Sequence, residues 1–143
     1  MKRNAWLNIF PERIADPASA RSALGWNGEA LAADYLEASG YRILARNWRG
    51  GGMNSEELDL VAMEGSEVVF VEVKTRRGRE FGYPEEAVTA GKRERLRRAA
   101  HGYLRSRGLS RAGFRIDIIA IGPPVRGGRA ALRHIRRAVE EAD

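Results

Sequence analysis

Cysteine is absent from this 143-residue chain. That excludes disulfides and thiolate metal sites. Histidine occurs only twice, which argues against a multi-histidine zinc site. No run of about 18 apolar residues appears, so no membrane-spanning helix is predicted. Met1 to Phe10 has neither a long apolar stretch nor a small-residue cleavage site, so no signal peptide is predicted. A cytoplasmic location is the expectation. Lysine is scarce too. Lys2, Lys74 and Lys92 are the only lysines among 25 basic residues, and the rest are arginine. No repeat or second domain appears, and the length suits one domain with a proper core.

What is present is a pair of charges inside an apolar run. Val68-Val69-Phe70-Val71-Glu72-Val73-Lys74-Thr75 reads as a buried central strand. Side chains alternate faces along a strand. Val69, Val71, Val73 and Thr75 share one face; Val68, Phe70, Glu72 and Lys74 share the other. Burying charges costs several kcal/mol each unless they pair or bind an ion. Lysine at this position is a compact point charge, suited to aiming one ammonium at one oxygen.

The net charge of +6 is unevenly spread. Residues 1–90 hold eleven Lys or Arg against fourteen Asp or Glu. Residues 91–115 hold nine Lys or Arg against Glu94 alone. A basic segment beside an acidic region suits a phosphate-backbone partner. A solvated arginine-rich helix is the plainer alternative.

Residues 1–24 lack periodicity and contain Pro11 and Pro17, so they are predicted to be a loosely ordered arm. Residues 25–143 then form the single domain. Gly25 to Ser39 predicts a helix, ended by Gly40. Tyr41–Asn47, Glu57–Met63 and Val68–Thr75 predict three strands, with Glu64-Gly65-Ser66 turning the last two into a hairpin. Pro84 is predicted to open a helix running to about Arg107, with Glu85 and Glu86 in its first turn. Leu96, Ala99, Ala100, Tyr103 and Leu104 form its core face. Phe114–Ile121 predicts a strand stopped by Pro123-Pro124. Ala130–Ile135 follows as an optional edge strand. The class is α/β, a central mixed β-sheet flanked by helices.

Asp59 lies mid-strand, predicted opposite to Leu58 and Leu60. The hairpin brings Asp59 and Glu72 onto neighbouring strands. Two carboxylates so placed repel unless a cation lies between them. Carboxylate oxygens, a backbone carbonyl and waters suit Mg²⁺ or Mn²⁺. Lys74 faces the same place. Acid, acid, lysine and a divalent metal, beside a basic segment, describe phosphodiester hydrolysis. The plainer alternative is a buried salt bridge among Asp59, Glu72 and Lys74. His101 on the arginine-rich helix reads as a surface residue and His134 as structural. Trp48 and Tyr83 flank the site loops, where base stacking is one use for them.

A resemblance sharpens this. Glu57-Leu58-Asp59-Leu60-Val61-Ala62, followed by Val69-Phe70-Val71-Glu72-Val73-Lys74-Thr75-Arg76, resembles the YraN-type family (UPF0102). That family is placed in the PD-(D/E)xK nuclease-like superfamily, near Holliday-junction resolvases. Gly28-Glu29, Gly40-Tyr41-Arg42-Ile43-Leu44, Arg46-Asn47, Phe81-Gly82, Pro84, Lys92 and Phe114-Arg115-Ile116-Asp117 match in order. The resemblance implies a restriction-endonuclease-like core. It implies Asp59, Glu72 and the Val73 carbonyl as metal ligands, Lys74 as the catalytic lysine, Glu29 as an accessory carboxylate and, more weakly, Glu57. In the family a glycine usually precedes the Glu57 position; here Glu56 stands there after a longer loop. The related resolvases are symmetric dimers, so a homodimer is implied.

The function expected is a Mg²⁺- or Mn²⁺-dependent endonuclease acting on DNA, branched or damaged. Arg76, Arg77, Lys92, Arg93 and Arg97 are the expected nucleic-acid contacts. The alternatives are a nucleic-acid-binding module without catalysis of its own, and an interaction scaffold whose charges only form ion pairs.

Overall fold

Among the described residues, a run of strands with one helix before it and one inside it builds a single five-stranded sheet. The computed structural model describes residues 28–51, 56–75, 89–125 and 129–139. The elements are α1 (Gly28–Ala38), β1 (Arg42–Arg49), β2 (Glu57–Glu64), β3 (Glu67–Thr75), α2 (Ala90–Ser106), β4 (Phe114–Val125) and β5 (Arg129–Val139). The predicted arm, Arg76, Arg77, Tyr83 and the proposed helix opening at Pro84 lie outside the described residues. No described helix is long and apolar enough to cross a membrane.

The strands stand in the order β1-β2-β3-β4-β5. Neighbours are antiparallel except β3 and β4, which run parallel and are joined through α2. A parallel pair needs such a crossover. The fold is therefore α/β with a mixed sheet between two helices. α1 covers one face, where Leu31 and Leu36 meet Leu60, Val69, Val71, Ile119 and Leu132. α2 covers the other, where Leu96, Tyr103 and Leu104 meet Phe70, Ile116, Ile118 and Ile135. The alternation predicted for β3 is followed: Val69, Val71 and Val73 face α1, while Val68 and Phe70 face α2. Burying a side chain of this size contributes about 1.5–3 kcal/mol.

α1 ends as its glycine requires. Gly40 takes φ 95°, and Tyr41 N–H returns to the Leu36 carbonyl at 2.9 Å. At the other end Gly28 has no room for a side chain: a methyl there would strike the Thr75 hydroxyl. That close approach seats the first turn of α1 against the end of β3.

Four details differ from the pattern read in the sequence. The predicted helix does not run unbroken through Thr89, which is extended (φ −69°, ψ 165°) and caps α2 at Ala90, its side chain accepting the Lys92 N–H. β4 runs on past Pro123-Pro124 to Val125. The ladder to β5 shifts register between Gly122 and Pro124, which accommodates prolines that cannot donate. β5 is a full partner spanning Arg129–Val139, longer than the optional strand expected. Finally, Leu58 and Leu60 do not share a face. Leu58 packs on the α2 side and Leu60 on the α1 side. The alternation of β2 breaks at Asp59, opposite Asn47, which adopts φ 49°.

Candidate active site

The break in β2 creates the site. The β2–β3 ladder runs from Glu64↔Glu67 to Leu60↔Val71 and stops there. Beyond it, Val73 N–H has no strand carbonyl opposite. It donates instead to Asp59 Oδ2 at 2.8 Å. A strand residue's N–H and C=O point to the same edge, so the Val73 carbonyl also faces this gap. Asp59 thus stands beside Glu72, as the extended register places it.

Burial pushes the Asp59 carboxyl up to about 7. The Val73 N–H opposes the rise, but the charges of Glu72 and Glu29 and a side-chain hydrogen bond with Glu72 reinforce it. No basic side chain among the described residues forms an ion pair with Asp59. Glu72 is answered differently. Lys74 Nζ lies 3.3 Å and Lys92 Nζ 2.8 Å from the same oxygen, Glu72 Oε2. All three side chains are mostly buried. The bland prediction of an ion pair therefore describes Glu72 and Lys74 correctly, and leaves Asp59 out.

Glu29 is half-buried on the first turn of α1. With the Asn47 amide nitrogen turned toward it, Asn47 donates to both Glu29 oxygens at 3.2 Å. The left-handed backbone at Asn47, which asparagine tolerates better than most residues, aims that amide.

Asp59, Glu72, Val73, Lys74 and Glu29 are thus brought to one end of the sheet. Lys92, expected as a nucleic-acid contact, joins them through Glu72. Glu57 does not join: it is half exposed and pairs with Arg49 at 3.3 Å. On α2, Arg93 is half-buried and Arg97 pairs with Glu94 at 3.3 Å. Arg98 pairs with Glu56 at 2.9 Å, so acids answer part of the basic helix. Trp48 packs edge-on against Tyr103, with ring centroids 5.5 Å apart. A core contact therefore uses the ring proposed for base stacking. His101 is exposed and His134 is buried, as expected.

Sequence reasoning missed Asn47 as a site residue. A signal was available: an asparagine inside a strand marks irregular backbone. It did not foresee the pairing of Lys92 with Glu72, although Lys92 and Lys74 share the distinction of being lysines in an arginine-rich chain.

Among the described residues, no three His, Asp or Glu side chains form a ready cage for a metal ion. Mg²⁺ does not demand one, since it commonly takes one or two carboxylates and keeps several waters. Two carboxylates and a carbonyl, all oxygen donors around an acid lacking its own cation, fit such an ion in donor chemistry. A cavity of about 420 Å³ lies elsewhere, lined by Glu67, Phe114, Arg115 and Arg137 among others, and neither Asp59 nor Glu72 borders it.

The sequence pattern of the family described as Uncharacterised protein family UPF0102 matches residues 28–121. That span runs from the glycine seated against Thr75 to the end of the β4 core, and so contains the whole site. A UPF0102 protein from Symbiobacterium thermophilum is 49% identical over 115 residues, covering 80% of this chain and 94% of its own length. One from Roseiflexus castenholzii is 43% identical over 123 residues, covering 85% and 97%. One from Moorella thermoacetica is 50% identical over 101 residues, covering 71% and 82%. Matched from α1 through β4 and at these identities, the chain belongs to the UPF0102 family.

Proposed function

We propose that this protein is a metal-dependent endonuclease that hydrolyses phosphodiester bonds in DNA, with branched or damaged DNA as the first substrates to test. A single observation carries this. Asp59 is a largely buried carboxyl, beside a second carboxylate, at a gap where the strand ladder has opened. Structural carboxylates are buried with their charge answered. Among the described residues, no cation is paired with this one.

Asp59, Glu72 and the Val73 carbonyl would hold Mg²⁺ or Mn²⁺. When bound, such an ion supplies a water of lowered pKa and polarises a phosphoryl oxygen. The chain's own residues do the rest. The Lys74 ammonium orients the attacking water or stabilises charge developing on the phosphate. Asn47 keeps the Glu29 carboxylate turned toward the site. Arg76, Arg77, Arg93 and Arg97 would meet the phosphate backbone, which predicts salt-sensitive binding.

One feature favours a second reading, a nucleic-acid-binding module without catalysis of its own: two lysines already neutralise Glu72. Cleavage assays decide between them. Branched, nicked, flapped and single-stranded DNA are incubated with the protein and Mn²⁺. The nuclease cuts at least one, and Lys74→Ala slows cutting by about 100-fold or more. Salt-sensitive binding with no cleavage of any substrate would leave the module.

A further inference from the structure

Lys92 is one of three lysines in the chain, and it meets a second, Lys74, at one oxygen of Glu72. The two come from different layers, Lys74 from β3 and Lys92 from the first turn of α2. Lys92 is firmly based. Its own N–H bonds the Thr89 cap at 3.2 Å, which fixes where its side chain starts. At 2.8 Å from Glu72 Oε2, it makes the shorter of the two contacts. Neither lysine is needed twice for structure, since one ammonium neutralises one carboxylate. Lysine also suits a contact that must be given up. It holds by a single point of charge, whereas arginine grips a carboxylate with two parallel bonds.

We infer that Lys92 is a positioning residue of the proposed metal site, a resident counter-ion. It holds Glu72 in place in the metal-free protein and competes with a divalent cation for Glu72 Oε2. This rests on the metal-dependent reading above. The physical consequence has a definite sign. A fixed ammonium beside a cation site opposes a second cation, and removing it favours the metal. A purely structural Lys92 works the other way, because losing it would let Glu72 wander and weaken the metal.

The test is calorimetric titration of Mn²⁺ into wild type, Lys92→Met, Lys92→Arg and Asp59→Ala. Lys92→Gln serves as a second neutral variant, and thermal melting verifies that each is folded. Lys92→Met and Lys92→Gln should bind Mn²⁺ about tenfold more tightly than wild type. Lys92→Arg, which keeps the charge and can grip the carboxylate with two bonds, should bind Mn²⁺ no more tightly than wild type. Wild-type binding that is lost in Asp59→Ala, but unchanged or weakened in both neutral Lys92 variants, would overturn this role and leave the metal site standing. No Mn²⁺ binding by wild type would overturn both.

Discussion

Two acidic clusters share one sheet, and they differ in how their charge is answered. Around Asp117, on β4, every oxygen has a partner. Arg115 Nε donates to it at 3.0 Å, His134 Nε2 lies 2.8 Å away, and the Arg137 N–H donates at 2.9 Å. The surrounding groups are tied in turn. Arg115 reaches Glu64, Glu67 and the Tyr41 hydroxyl, each at 2.8 Å, and His134 reaches the Tyr35 hydroxyl at 2.9 Å. Burial works against the Asp117 charge, yet His134 and Arg115 hold its carboxyl below the usual range. Around Asp59 the same burial wins, and its carboxyl rises to about 7. A satisfied cluster fixes the fold. A cluster left short of positive charge is where a ligand has something to contribute.

Breaking the satisfied cluster should have the largest effect on stability. Asp117→Ala leaves Arg115 and His134 buried without their shared acceptor. It should cost about 3–5 kcal/mol, read by urea denaturation. If it costs less than about 1 kcal/mol, the contrast between the clusters fails.

The clusters should also respond to pH with opposite signs. Asp117 has a lowered folded-state pKa, so the unfolded chain binds its proton first. Its contribution is present above the ordinary aspartate value of about 4 and is lost as pH falls through the folded value. Asp59 has a raised folded-state pKa. Its contribution is fully present below about 4 and is lost as pH rises toward about 7. Asp59→Asn should therefore flatten the decline in metal-free stability between those values. Its melting temperature at pH 8 should equal or exceed that of wild type, while metal-dependent cleavage falls about 100-fold or more. A large loss of stability would make Asp59 structural after all.

The smallest effect sharpens the boundary of the site. Glu57 lies two residues from Asp59 but pairs with Arg49 in the open. Glu57→Ala should change stability by less than about 0.5 kcal/mol and leave cleavage intact.

Much of this was readable before folding. A run of valines carrying Glu72 and Lys74 declares a central strand and marks a candidate site within it, because a charge placed against the period of burial needs a reason. Asp59 was likewise visible between two leucines. Its surroundings were not. Strict alternation puts Leu58 and Leu60 on one face, but the irregularity at Asn47 and Asp59 separates them. No local preference announces where a ladder will stop. The Asp117 cluster was hidden for a related reason. Arg115 and Asp117 looked like ordinary strand residues, and their partners lie far along the chain, Tyr41 on one side and His134 on the other.

The sequence by itself determined the α/β class, the main strands, the core face of α2 and the carboxylate–lysine set on β3. These follow from periodicity and composition, which act over a few residues. Only the tertiary structure decided that Asp59 bonds Val73, that Asn47 holds Glu29 and that Lys92 turns inward to Glu72. Each of these joins residues from separate elements. Their meeting depends on strand register, on a glycine seated against Thr75 and on the point at which α2 begins.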